Sequence, residues 1–194
     1  MSVQIKAIIF DCFGVLVGDS WRQFLMEYAS DDAQCKLAKD AQRAMDTGMI
    51  DESDFIDQIA DITGLDKEEI VDYLFAPSQP NAELFAVIAQ LKPLYKLGIL
   101  SNISSKDRLH EMLTDEYIAQ FDALTLSGEV GIIKPDERIY VAAAAKLGCA
   151  PDECLFIDDV ERFCDAARAV GMQAIHYQTI AQVIAELRAQ KVLQ

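Results

Sequence analysis

Short apolar runs alternate with stretches of helical periodicity along most of this chain. The runs are continuously apolar, which is typical of strands buried on both faces of a parallel sheet. They cover residues 6–10 (KAIIF), 97–101 (LGILS), 123–127 (ALTLS), 154–158 (CLFID) and 172–177 (MQAIHY). The helical stretches between them cover residues 81–91, 104–113, 136–147 and 160–170. Strands that alternate with helices predict an α/β fold with a mainly parallel sheet.

Residues 19 to about 80 break this rhythm, because they show helical periodicity and no convincing strand. Asp66 and Glu69 have the spacing of a helix capping box. The segment 31–46 (DDAQCKLAKDAQRAMD) has the composition of a solvated helix face. A helical block of this length between the first strand and the others indicates an inserted all-helical cap.

The expected division of the chain places this cap at the edge of the sheet where ligands bind. The cap covers residues 18–80, and the core covers residues 1–17 and 81–194, with linkers near residues 17–19 and 77–81. The insertion follows the carboxyl end of the first strand. Open α/β sheets bind ligands in the crevice outside the carboxyl ends of their strands.

Composition narrows the class of function and the expected location. The apolar fraction is 52%, and 17 basic against 32 acidic residues give a net charge of −15. This charge argues against a nucleic-acid partner, because phosphate backbones bind basic surfaces. No apolar run is long enough to cross a membrane, and the N-terminal segment lacks the layout of a signal peptide. The five cysteines form no CxxC pair and are interpreted as reduced thiols of a cytoplasmic protein. The sequence gives no indication of oligomeric state.

Residues whose side chains could take part in catalysis or binding follow the predicted strands in order. Asp11 ends the first strand, the pair Ser101-Asn102 ends the second, Lys134 follows the third, and Asp158-Asp159 ends the fourth. Taken singly, each is commonly a helix cap or a turn residue, and only their coincidence at one sheet edge points to a site. Carboxylates are the ligands that Mg²⁺ uses beside substrate phosphate.

The other groups fit the same chemistry. Lys134 and Ser101 could bind phosphoryl oxygens, and Gly14 would let the backbone of the loop after Asp11 approach a phosphate closely. A carboxylate such as Asp11, held against a metal-bound phosphate, can form an aspartyl-phosphate. The segments together therefore suggest phosphoryl transfer.

The four segments IIFDCFGVL, ILSN, GIIKPDERIY and LFIDDV resemble, in order, the four motifs of the haloacid dehalogenase (HAD) superfamily. The helical block resembles that family's C1 cap. The resemblance implies a three-layer Rossmann-like core under a helical lid, and Mg²⁺-dependent hydrolysis of a small phosphorylated metabolite. The implied catalytic residues are Asp11, Ser101 and Lys134. The implied phosphate contacts are Phe13, Gly14, Ser101, Asn102 and Lys134. The implied Mg²⁺ ligands are Asp11, the Phe13 backbone carbonyl, Asp158 and Asp159.

One departure from the family pattern keeps alternatives open. Most phosphatases of the superfamily carry a second Asp as general acid at the position of Phe13. Such an acid typically accelerates the reaction by about 10²–10⁴-fold. The leading hypothesis is a phosphomonoesterase like the sugar-phosphate phosphatases that also lack this Asp. Without the acid, good leaving groups should suffer least, and fast turnover of alkyl phosphates would indicate another acid, from the cap.

The first alternative is a metal-independent 2-haloacid dehalogenase, with an aromatic residue at position 13 and Arg22 or Arg43 cradling the halide or carboxylate. The pair Asp158-Asp159 fits this alternative badly, because dehalogenases of the family have small polar residues there. The second alternative is a weak or inactive binding module, for which Phe13 is the evidence.

Overall fold

A five-stranded parallel sheet forms the centre of the molecule. The computed structural model describes residues 4–76 and 79–193. The strands are β1 (Ala7–Phe10), β2 (Lys96–Ser101), β3 (Ala123–Leu126), β4 (Cys154–Asp158) and β5 (Gln173–His176). Their order in the sheet is β3-β2-β1-β4-β5, and every neighbouring pair is parallel. The prediction of an α/β fold with a parallel sheet is confirmed.

Helices connect the strands and cover the sheet. In chain order they are α1 (Ser20–Tyr28), α2 (Asp32–Asp46), α3 (Glu52–Thr63), α4 (Lys67–Leu74), α5 (Ala82–Leu91), α6 (Lys106–Met112), α7 (Asp115–Ile118), α8 (Ser127–Val130), α9 (Glu137–Lys146), α10 (Glu161–Ala169) and α11 (Ile180–Ala189). Three of these helices were not predicted from the sequence, namely α11 and the single turns α7 and α8. The capping box predicted at Asp66 is wrong, because its side chain bonds no amide of α4. The helix starts at exposed residues, where water can satisfy its free amides.

The side chains of β1 show why the fold has three layers. Ile8 and Phe10 pack into the apolar cluster on one face of the sheet, which includes buried residues of α5, α6 and α11. Ala7 and Ile9 pack into the cluster on the other face, which is built from α9 and α10. Successive strand side chains point to opposite faces, so a strand that is apolar throughout needs helices on both sides.

The helices α1–α4 have an apolar cluster of their own. Its buried members are Phe24, Ala38, Ala41, Phe55, Ile59, Ile70 and Leu74. The chain leaves the sheet and returns to it at one place, since Val17 forms a bridge with Pro80 and the Asn81 N–H donates to the Leu16 carbonyl (2.8 Å). Residues 77 and 78 of the predicted second linker lie outside the described residues.

We expect Phe24→Ala to destabilise the helical block by about 3–5 kcal/mol, the usual cost of truncating a buried aromatic side chain. Phe24 is 1% exposed and its ring contacts Trp21, Tyr28 and Tyr73. Met26 on the same helix is 81% exposed, so the control Met26→Ala should change stability by less than about 0.5 kcal/mol. Urea denaturation gives the magnitudes, and amide hydrogen exchange gives the location. Equal loss of protection in the sheet and in residues 20–74 would contradict a separately packed helical block.

Candidate active site

The carboxyl ends of the central strands bring the predicted site residues together. Asp11 follows β1 directly and its N–H donates to the Ile157 carbonyl of β4 (2.9 Å). Ser101 is the last residue of β2, and Asp158 is the last residue of β4. Because β1 lies between β2 and β4 in a parallel sheet, all three residues lie at one edge, as the sequence predicted.

Lys134 lies between two carboxyl groups of this edge. Its Nζ lies 2.7 Å from Asp11 Oδ1 and donates to Asp158 Oδ2 at 2.6 Å. The side chain is only 1% exposed. Burial lowers the pKa of Lys134, but the carboxylates of Asp11 and Asp158 outweigh burial and raise it. Lys134 is therefore a permanent ammonium that orients the oxygens of both acids.

The two acids of the fourth segment have different surroundings. Asp158 is fully buried, and its second oxygen, Oδ1, accepts the Val160 N–H at 2.8 Å. Both of its oxygens are thus engaged by the protein. Asp159 lines a cleft, and its Oδ2 lies 3.0 Å from Arg22 Nη2 of α1. Burial raises the pKa of Asp159, while Arg22 lowers it.

The arrangement of carboxyl groups suits a divalent cation. Asp11, Asp158 and Asp159 each offer an oxygen, and these oxygens lie within 4.8 Å of one another. Burial raises the pKa of Asp11, and the Asp158 carboxyl raises it further, against the lowering by Lys134. One buried ammonium balances only one carboxylate, so a further cation would favour the ionised form of all three acids, and hard oxygen ligands of this kind fit Mg²⁺.

Gly14 is required by the close approach of Asp159. Its φ is +77°, and a Cβ built there would lie 2.6 Å from the Asp159 carboxyl carbon. The Gly14 N–H donates to the Val17 carbonyl at 2.8 Å, and the Cys12 N–H donates to Asp11 Oδ1 at 2.7 Å. The phosphate contact predicted for Gly14 would therefore require its hydrogen bond within the loop to open.

The two residues at the end of β2 differ in what they contact. Ser101 is 0% exposed, and its hydroxyl has no hydrogen-bond partner among residues 4–76 and 79–193. Asn102 exchanges two hydrogen bonds with the main chain of Lys134, at 2.8 and 3.2 Å. Asn102 thus fixes the lysine loop, a positioning role that differs from the phosphate contact predicted for it.

A cleft of about 590 Å³ separates the sheet edge from the helical block. On the sheet side it is lined by Asp11, Phe13, Asn102, Lys134 and Asp159, whereas Ser101 and Gly14 are not among its lining residues. On the helical side Arg22, Arg43 and Asp46 line it. Phe13 therefore does face the space where a second catalytic acid was expected.

Asp46 is the site residue that the sequence analysis missed. Segment 31–46 was interpreted as a solvated helix face, but Asp46 is only 6% exposed. Its main-chain carbonyl accepts the Ser127 hydroxyl at 2.6 Å, which attaches the end of α2 to the core. The available signal was helical spacing, because Asp46 follows Ala38 and Gln42 at intervals of four residues, and Ala38 is fully buried.

Comparison with known proteins identifies the family and the fold. The family model of haloacid dehalogenase-like hydrolases matches residues 5–171. A phosphatase of Mycobacterium tuberculosis is 28% identical over 194 residues, covering 89% of this chain and 87% of the relative. A Porphyromonas gingivalis structure, described as a predicted HAD-like family hydrolase, has a TM-score of 0.73 at 25% identity and covers 99% of this chain and 100% of that one. A HAD family enzyme of Bacteroides thetaiotaomicron, in complex with magnesium and inorganic phosphate, has a TM-score of 0.69 at 19% identity and covers 92% and 98%.

We expect Lys134→Met to destabilise the protein by about 3–5 kcal/mol at pH 8 without added metal, because it leaves buried carboxyl groups unpaired. Loss of the ammonium raises the pKa of Asp11 beyond the rise that burial already causes. A carboxyl group with a raised folded-state pKa favours folding at low pH and opposes it as pH rises, so the deficit should be smaller at pH 5.

Urea denaturation at both pH values measures this effect. The matched control is Lys92→Met, which breaks the partly exposed pair with Asp122 and should cost less than about 1 kcal/mol. The proposed charge balance between Lys134 and the carboxyl groups of Asp11 and Asp158 would be contradicted in two cases. The loss in free energy of unfolding for Lys134→Met could equal that of the control, or it could be larger at pH 5 than at pH 8.

Proposed function

Because the chain belongs to the haloacid dehalogenase-like hydrolase family, we propose that it is a Mg²⁺-dependent phosphomonoesterase that acts on a small phosphorylated metabolite. The observation that carries this proposal is the cluster of Asp11, Asp158 and Asp159 around the buried ammonium of Lys134. A carboxylate nucleophile, a cation site and a fixed ammonium within one cleft are the parts that phosphoryl transfer needs.

The functions of similar proteins support the same class of reaction. The relative from Mycobacterium tuberculosis is a phosphatase, and the structure from Bacteroides thetaiotaomicron holds magnesium and inorganic phosphate. The cleft also offers cations to a phosphate ester, since Arg22, Arg43 and Lys134 line it beside its acidic residues in a protein of net charge −15. Local cations can attract a phosphate that the overall charge would repel.

In this proposal Asp11, Asp159 and the Phe13 carbonyl would hold the Mg²⁺ ion. Asp158, whose two oxygens also accept hydrogen bonds from Lys134 and the Val160 N–H, would bind it directly or through water. When bound, the ion would neutralise charge on the phosphoryl oxygens. The Arg22 guanidinium, which lies 3.0 Å from Asp159, would then be free to contact the substrate.

The protein side chains perform the following steps. The free oxygen of Asp11 attacks phosphorus in line with the leaving oxygen, while its other oxygen, Oδ1, is held by Lys134 and by the Cys12 N–H. Lys134 stabilises the charge that develops on the phosphoryl group. The unpaired Ser101 hydroxyl, which does not line the cleft in this structure, would have to turn towards it to donate to a phosphoryl oxygen. Water then cleaves the aspartyl-phosphate and releases inorganic phosphate.

We also propose that residues 18–80 act as a cap over a core formed by residues 1–17 and 81–194. The separate apolar cluster of α1–α4 and the adjacent entry and exit at Val17 and Pro80 support this division. A cap placed there encloses the cleft and excludes water from it. It also supplies Arg22, Arg43 and Asp46, the residues that would meet the part of the substrate beyond its phosphate.

The two alternatives explain fewer of the observations. A haloacid dehalogenase would use Asp11 and the cleft arginines, but it gives no reason for three acids within 4.8 Å. A binding module gives no reason for a buried, unpaired Ser101 hydroxyl beside that cluster. Metal dependence separates phosphatase from dehalogenase, and any turnover that requires Asp11 separates both from a binding module.

We expect hydrolysis of 4-nitrophenyl phosphate or of an anomeric sugar phosphate by the purified protein with Mg²⁺. EDTA and Asp11→Asn should each abolish it, because the nucleophile and its cation are lost. Asp61→Asn is the matched control, since Asp61 is exposed on α3 outside the cleft, and it should leave turnover unchanged. Halide release from 2-chloropropionate without metal, with neither phosphate ester hydrolysed, would overturn the proposal in favour of a dehalogenase.

Ser101→Ala should separate stability from activity. The Ser101 hydroxyl is buried without a partner, and leaving such a group unbonded costs about 1–3 kcal/mol, so the variant should be as stable as the wild type or more stable. Its kcat/KM should fall by about 10²-fold or more if the hydroxyl binds the transition state as other oxyanion donors do. Thermal unfolding and phosphate-release assays give both quantities. A stable variant with unchanged kcat/KM would remove Ser101 from the site.

A further inference from the structure

We propose that Asp46 of α2 is the general acid and base of this enzyme, replacing the acid that Phe13 cannot supply. The assignment rests on the proposed phosphomonoesterase function. It places a proton donor for the leaving oxygen on the helical block, at the wall of the cleft that also holds Asp11, Phe13 and Lys134.

Burial without a partner sets Asp46 apart from the other acids of the helical block. It is the only buried acidic residue between Asp19 and Pro80 that the structure describes. Its carboxyl group has no hydrogen-bond or ion-pair partner in residues 4–76 and 79–193. A buried carboxyl that the protein does not satisfy has a cost, and such costs are concentrated at functional sites.

The position of Asp46 in its helix adds to that cost. Asp46 is the last residue of α2, where the helix dipole disfavours a negative charge. The Ser127 hydroxyl holds its main-chain carbonyl at 2.6 Å and also donates to the Ile103 carbonyl at 3.1 Å. The main chain at Asp46 is therefore fixed, and the setting of its carboxyl group favours the neutral, proton-bearing form.

The charge state of Asp46 at neutral pH fits a proton donor. Burial raises the pKa of Asp46 to about 8, and Lys134 lowers it only in part. The other charged residues that line the cavities beside Asp46 are Asp11, Asp19, Arg22, Lys39, Asp40, Arg43, Glu52, Arg108, Asp159 and Arg162. None of these other residues shifts the pKa of Asp46 by its charge, whereas Lys134 does.

The reaction balances with Asp46 in this role. As Asp11 forms its bond to phosphorus, the bond from phosphorus to the leaving oxygen breaks, and the Asp46 proton passes to that oxygen to give a neutral alcohol. In the second step the Asp46 carboxylate accepts a proton from the water that attacks phosphorus. The bond between Asp11 and phosphorus then breaks, which releases inorganic phosphate and restores both acids.

In-line displacement is compatible with an acid on the helical block. The attacking and leaving oxygens lie on opposite sides of phosphorus, and Asp11 attacks from the sheet edge. A donor at the end of α2, which lines the same cleft as Asp11, can therefore reach the leaving oxygen from the opposite side. Phe13 belongs to the loop of the nucleophile and contributes an apolar wall at this place.

The test is the dependence of kcat/KM on the leaving group, measured with 4-nitrophenyl, phenyl and benzyl phosphate and Mg²⁺. The three rings are similar in size, but benzyl alkoxide is far more basic than nitrophenolate and depends on protonation. Asp46→Asn should lower kcat/KM for benzyl phosphate by about 10²–10⁴-fold, the usual value of general acid catalysis, with little change for 4-nitrophenyl phosphate. Asp61→Asn, the same change at an exposed cap residue, should alter neither.

The pH profile gives a second readout. For wild-type protein and benzyl phosphate, kcat/KM should fall as pH rises through about 8, because the donor must carry its proton. This limb should be missing from Asp46→Asn. The stability of the variant relative to wild type should rise between pH 4 and pH 8, because ionised Asp46 opposes folding in the wild type.

Three results would overturn the assignment. The first is an equal loss in Asp46→Asn on all three esters, which indicates a binding role. The second is no loss on benzyl phosphate. The third, which needs no variant, is a steep dependence on leaving-group basicity in the wild type itself. Absence of Mg²⁺-dependent turnover of every ester in the wild type would instead overturn the phosphomonoesterase function, and the assignment with it.

Discussion

The structure of this site depends on the burial of Lys134 between Asp11 and Asp158. An ammonium that is 1% exposed is tolerable only where carboxylates balance its charge, and β1 and β4 supply these carboxylates at their carboxyl ends. The parallel order of the sheet makes them neighbours, and Asn102, which directly follows β2, holds the lysine loop through two hydrogen bonds. The ends of three adjacent strands thus build one charge cluster, which fixes Asp11, the proposed nucleophile, before any substrate enters.

The sequence predicted the features that depend on local pattern and strand order. Continuously apolar runs identified the strands, and acids directly after them identified Asp11 and Asp158, because parallel strands end at one edge. It could not predict which residues at that edge have free oxygens for a ligand and which only position their neighbours. Whether Asp158 or Asp159 has a free oxygen depends on the Val160 amide and on Lys134, and the role of Asn102 depends on the path of the lysine loop. These contacts join residues distant in the chain.

Asp46 shows most clearly where pattern reasoning fails. On sequence alone an Asp at the end of a helix rich in charged residues is a surface residue, and that holds for most acids of the segment 31–46. Its burial arises from tertiary contacts, since Ser127 anchors the end of α2, and residues of α1, α3 and α4 line the cavity beside it. The helix dipole disfavours an acid at a helix C-terminus. An acid that occurs there without a hydrogen-bond or ion-pair partner among the described residues is itself a sign of function.

A proton donor on the helical block has a consequence for catalysis that a donor beside the nucleophile would not have. With the acid at position 13, the chemical groups would form a unit within one loop of the core. With Asp46, the donor and the nucleophile belong to two differently packed parts of the chain. Their alignment then depends on the contacts that join these parts, such as the bond from the Ser127 hydroxyl to the Asp46 main-chain carbonyl. Asp46 and Asp11 line the same cleft, so under these proposals a substrate bound between cap and core contacts the donor and the nucleophile together. Selection of the substrate by the proposed cap and protonation of its leaving group would then be one physical event.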